Sequence, residues 1–122
     1  MNVPFILILS SAIFVSCSSG AKKKIALSDS AKQGKELFVQ QCASCHEIST
    51  QKIGPALHSV TQKRSEQWIV TLIQEPHKLH NDEEYQKLKV QYPNAEMPPF
   101  PKVTAQQIHN ILAYINQTSQ SE

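Results

Sequence analysis

The sequence predicts an all-α domain of about four short helices, and three observations carry this. Apolar residues recur at three- and four-residue spacing in four separate stretches, each opened by a residue able to cap a helix. No stretch alternates apolar and polar residues for long enough to make a strand. The two longest connections carry helix-stopping residues: Gly54-Pro55 within 47–64, and Pro93, Pro98, Pro99 and Pro101 within 92–103.

Taken in order, residues 1–16 stand outside this domain. Phe5 to Val15 is almost wholly apolar. Eleven residues rising ~1.5 Å each reach only about half of a ~30 Å hydrocarbon core, so the run suits the apolar region of an export signal and not a spanning helix. The run ends at Phe14-Val15-Ser16-Cys17, which resembles a bacterial lipoprotein signal: a small residue precedes a cysteine that is lipidated and becomes the new N-terminus. The competing reading is a soluble secreted protein that loses Cys17 with its signal, but an ordinary A-x-A cleavage motif is missing. Residues 17–29 then read as a lipid-anchored polar tether, with Lys22, Lys23 and Lys24 able to touch anionic headgroups weakly.

The folded domain is expected over 30–118, with 119–122 as a tail. Ser28 and Asp29 can cap a first helix starting near Ser30, whose inner face is Ala31, Gly34, Leu37, Phe38 and Gln41/Cys42. Ser65 can cap a second, with Trp68, Ile69, Leu72 and Ile73 on one side, stopping before Pro76. Asn81-x-x-Glu84 is a capping-box variant opening a third, with Tyr85 and Leu88 inward. Thr104-x-x-Gln107 is a capping box for a fourth, which carries Ile108, Ile111, Leu112 and Ile115.

Composition removes several classes of function. The chain has 122 residues, and its formal charge of +2 is too weak for a nucleic-acid binder that works through phosphate contacts. From Ile25 onward nine basic residues face ten acidic ones, so the domain is near neutral. No GxGxxG or GxxxxGK occurs, and three Cys cannot make a dense disulfide framework. Four short helices with long loops bury a modest apolar area, so something else is expected to fill the centre.

Cys42-Ala43-Ser44-Cys45-His46 says what that is. Two thiols three residues apart can form thioether bonds to the two vinyl groups of haem, and the following His then sits under the iron as an axial ligand; C-x-x-C-H is read as c-type haem attachment. A zinc site would need a second ligand pair, and only His77-x-x-His80 offers one. A thioredoxin-type dithiol would need a βαβ context, which the pattern lacks. Met97 is the one thioether left once Met1 departs with the signal. It lies in Ala95-Glu96-Met97-Pro98-Pro99-Phe100-Pro101, where proline fixes φ and makes a loop stiff enough to hold a sulfur against iron at little entropic cost. Met more often fills an apolar gap, and that reading stands beside the ligand.

With these residues in hand, 30–118 resembles a class I, mono-haem cytochrome c. Gly34 and Phe38 stand at the helix-crossing positions of the family's first helix, and Ile111 and Tyr114 at those of its last. Gly54-Pro55-Ala56-Leu57 resembles the family's G-P-x-L loop. The resemblance implies a fold of short helices wrapped around one covalently bound haem c on Cys42 and Cys45, with iron between His46 and Met97. It also implies that the Pro55 carbonyl accepts from His46 Nδ1 and that Leu57 packs on the haem edge. Trp68 stands where the family places a Trp near a haem propionate, and it reads equally as a core residue at helical spacing. His58, His77, His80 and His109 are expected at the surface, with His77 or His80 the candidates to replace Met97.

With both axial positions filled, no site is open to substrate. The expected protein is a one-electron carrier and not an enzyme. It exchanges electrons with a redox protein donor and acceptor, is a monomer, and binds no nucleic acid. Its place is the periplasmic or other extracytoplasmic face of a bacterial membrane, reached through the lipid anchor. The alternatives are a haem-carrying subunit of a larger oxidoreductase, or a ligand-binding haem sensor if Met97 is displaced. Mass spectrometry of the native protein should find a chain beginning at Cys17 and carrying acyl mass. Cys17→Ser should release it from membranes with its absorption spectrum unchanged; an unmodified chain starting elsewhere would instead mark a soluble protein.

Overall fold

The computed structural model describes residues 26–121, so the signal segment, Cys17 and Lys22, Lys23 and Lys24 lie outside the described residues. The order is α1 (Asp29–Gln41), α2 (Val60–Lys63), α3 (Glu66–Gln74), a 3₁₀ turn (Pro76–Leu79), α4 (Glu83–Gln91) and α5 (Ala105–Ser119), with no strand among the described residues. The four expected helices are α1, α3, α4 and α5. The single turn α2 and the 3₁₀ turn are additions.

Each long helix starts where a side chain satisfies its orphan N–H groups. The Ser28 hydroxyl accepts from the Ala31 N–H at 3.2 Å, and Ser65 accepts from the Trp68 N–H at 3.2 Å. Thr104 and Gln107 form the full reciprocal box that opens α5. The third cap differs from expectation by one residue. Asp82, not Asn81, caps α4, accepting from the Tyr85 N–H at 2.9 Å. The Asp82 N–H is spent on the Leu79 carbonyl, so Asn81 belongs to the turn that closes the 3₁₀ segment.

The core is the crossing of α1 and α5. Ala31, Gly34 and Phe38 are buried from one side, and Ile108, Ile111, Leu112 and Ile115 from the other. The Phe38 and Tyr114 rings meet at 5.5 Å between centroids with planes tilted by 60°. A Cβ on Gly34 would lie 1.8 Å from the Asn110 carbonyl oxygen, so only glycine permits this approach. Asn110 is buried at the same point, and both ends of its amide are engaged: it accepts from Ser30 Oγ at 2.6 Å and donates to Gln33 Oε1 at 2.9 Å. Ser28 and Gln117 exchange two further hydrogen bonds across the same pair of helices.

The remaining helices attach to this crossing. In α3, Ile69 is buried and Trp68, Val70 and Ile73 pack on the core; Val70 joins this face unexpectedly. α4 has no buried residue, and its Tyr85 and Leu88 are half-buried. It is held by Arg64, which pairs with Glu84 at 2.9 Å, and by Trp68, whose indole N–H donates to Asp82 at 3.1 Å. None of the helices described is long and apolar enough to cross a membrane.

The crossing makes Gly34 the most sensitive surface-distant position of α1. Gly34→Ala should cost about 3 kcal/mol, since a backbone carbonyl cannot swing aside as a side chain would. A urea midpoint measured beside that of the exposed Lys35→Ala should show the difference; matching midpoints would mean the helices can separate cheaply.

Candidate haem site

The site grows from the C-terminal end of α1. The Cys42 and Ala43 N–H groups both bond to the Phe38 carbonyl, at 2.8 and 2.9 Å, ending the helix. The chain then turns tightly, with the Cys45 and His46 N–H groups on the Cys42 carbonyl at 3.1 and 2.9 Å. This turn gathers both sulfurs and the imidazole within five residues of a rigid helix end. Cys42 and Cys45 are free thiols, each half-buried.

The 52–58 segment packs back on this turn. The Gly54 N–H bonds to the Cys45 carbonyl at 2.9 Å, and Lys52 Nζ donates to the Ala43 carbonyl at 2.8 Å. The Leu57 and His58 N–H groups bond to the Ile48 carbonyl at 3.0 and 2.8 Å. His46 Nδ1 lies 2.9 Å from the Pro55 carbonyl oxygen, the bond the resemblance implies. A carbonyl only accepts, so Nδ1 carries the proton, and in the neutral ring the lone pair is on Nε2. The ring lies flat against Gly54: a Cβ there would be 2.4 Å from Cε1 and 2.9 Å from each ring nitrogen. Leu57 is half-buried and packs on the core.

The surroundings of Cys42 disfavour its thiolate. Burial pushes the Cys42 thiol up to about 11, and Cys45 beside it adds to the shift. Disulfide oxidoreductases need a thiolate favoured near neutral pH, which is the opposite shift. No cluster of three or more His, Cys, Asp or Glu among the described residues can hold a bare metal ion. The donor set that remains is one imidazole and two adjacent thiols, which would hold a haem through two thioether bonds with His46 as a ligand of its iron.

Met97 is half-buried in the proline-rich segment between α4 and α5. His58, His77, His80 and His109 are all exposed, and His109 pairs with Glu66 at 3.1 Å. Trp68 is half-buried, and the N–H that a propionate would take is given to Asp82. Arg64 lies over its ring, 5.2 Å from the centroid. The Tyr85 N–H, aided by Trp68, holds the Asp82 carboxyl below the usual carboxylate range. Asp82 and Arg64 escaped the sequence reading, because nothing local marks either as a partner of Trp68.

The comparisons agree with this geometry. The family model for cytochrome c matches residues 31–119. Among solved structures, a cytochrome c from Rhodothermus marinus is 26% identical, covering 82% of this chain and 90% of its own length, with a TM-score of 0.66. An engineered cytochrome c from Rhodothermus marinus bound to a carbene intermediate is 27% identical, covering 80% and 88%, with a TM-score of 0.62. No curated protein matches the chain. A match over most of the chain and a shared helical fold make the assignment: the chain belongs to the cytochrome c family, electron carriers whose cofactor is covalently bound haem c with its iron.

Proposed function

We propose that this cytochrome is a monomeric one-electron carrier with His46 and Met97 as its axial pair. It is tethered through lipidated Cys17 at the extracytoplasmic face of a bacterial membrane, and it is not itself an enzyme. One observation carries the reading: His46 packs against Gly54 and its Nδ1 bonds the Pro55 carbonyl at 2.9 Å, which in the neutral ring puts the lone pair on Nε2. Bound haem supplies an iron that changes by one electron between its ferric and ferrous states.

The chain's own residues do the rest. Cys42 and Cys45 hold the group covalently, so a small core does not lose it by dissociation. Pro55 keeps the imidazole in one tautomer and one orientation, which makes His46 a firm ligand in both oxidation states. Leu57 and the apolar face of α3 keep water away. Met97 offers a neutral thioether, which favours the ferrous state and raises the potential. A near-neutral surface gives partner recognition no strong single-sign field, so donor and acceptor proteins meet it through local complementarity.

Two measurements test this. Oxidised wild-type protein should show the weak near-infrared sulfur-to-iron charge-transfer band. Met97→Ala should abolish it, lower the potential and tighten cyanide binding by at least about tenfold, because no ligand then has to leave first. Haem should stay on the polypeptide in acid-acetone throughout. A band that survives Met97→Ala, or a spectrum that answers only to His77→Ala or His80→Ala, would refute the axial pair.

Gly54→Ala drives a methyl group into the His46 ring. Its ferric spectrum should move from low spin toward high spin while the haem remains attached. An unchanged spectrum would show that the ring has room to move.

A further inference from the structure

We infer that Gln74 is a positioning residue that latches the Met97 segment against the end of α3. The inference rests on the reading of Met97 as an iron ligand.

Between Pro98 and Pro101 the chain has a single backbone donor, the Phe100 N–H, because the other three residues are proline. That donor goes to the Ile73 carbonyl at 2.7 Å. Ile73 lies in the last turn of α3, where helix carbonyls lack partners within the helix. The Phe100 carbonyl accepts from the Val103 N–H at 3.1 Å, and the Val103 carbonyl accepts from Gln74 Nε2 at 2.7 Å. The path thus leaves α3 at Ile73 and returns to it at Gln74, the next residue. The Met97 segment caps α3 while α3 fastens the segment.

Of the two fastenings, the first is main chain to main chain. The second is a half-buried side-chain amide, and it is the one that substitution can remove. A ligand entering from solution must displace Met97, so its apparent affinity is scaled by the fraction of molecules in which the segment is open. A hydrogen bond present only in the closed state lowers that fraction, and losing it raises the fraction about fivefold.

The test uses the full haem-loaded protein. Gln74→Met keeps the length of the side chain without the donor, and Gln74→Glu keeps its shape but turns a carboxylate toward the Val103 carbonyl. Gln67→Met, at an exposed position on the same helix, is the control. Imidazole should bind the ferric form about fivefold more tightly in both Gln74 variants, and the Phe100 amide should exchange its hydrogen faster by a similar factor. The control should match wild type. If wild type shows the sulfur-to-iron band but both Gln74 variants match it in imidazole affinity, the latch is wrong and the axial pair stands. Tighter imidazole binding with unchanged Phe100 exchange also overturns the latch, since Gln74 would then act elsewhere. If wild type lacks the band, the reading of Met97 fails and the inference falls with it. Should Gln74→Met lose helical signal, Gln74→Glu decides.

Discussion

The close approach of α1 and α5 at Gly34 governs the rest of the structure. The two backbones meet where a Cβ would strike the Asn110 carbonyl, and the Phe38–Tyr114 contact and the Asn110 hydrogen bonds depend on that spacing. Because Cys42 follows directly on the last residue of α1, the crossing also fixes where the attachment turn begins. A fold with so small an apolar core cannot define its centre by burial alone. It does so here by rigid contact between two helices and by a cofactor that completes the interior.

Around that frame, the His46 turn and the Met97 segment are built by different means. On the His46 side, everything lies within a short span: a tight turn, a glycine that admits the ring, and a carbonyl that sets its tautomer. The Met97 segment has a single backbone donor between Pro98 and Pro101 and borrows order from α3. The imidazole is therefore placed by local structure, and the thioether by tertiary packing. Under the proposed axial pair, that asymmetry suits a carrier whose His46 bond persists while its Met97 bond is tuned.

The legible parts of the molecule were those whose physics is local. Capping at Ser28, Ser65 and Thr104 could be read directly, because a cap acts over three residues. The apolar set of α5 was equally plain from its period. α2 and the 3₁₀ turn are single turns, too short to generate a periodic signal, and competition from the Leu79 carbonyl moved the third cap from Asn81 to Asp82. In the candidate site, the grouping of Cys42, Cys45 and His46 was legible because the three lie within five residues, which the structure folds into one tight turn. The Trp68–Asp82 and Gln74–Val103 bonds join residues 14 and 29 positions apart, and no local pattern announces either.

The scarcity of donors around Met97 has a consequence beyond ligation. Extended segments that come loose are dangerous when they present rows of free N–H and C=O groups, since these template pairing with another chain. Between Pro98 and Pro101 the chain has one N–H to offer, and proline cannot sit within a central strand. The segment that carries Met97 is thus poorly able to seed aggregation. The prolines act as gatekeepers as well as stiffeners.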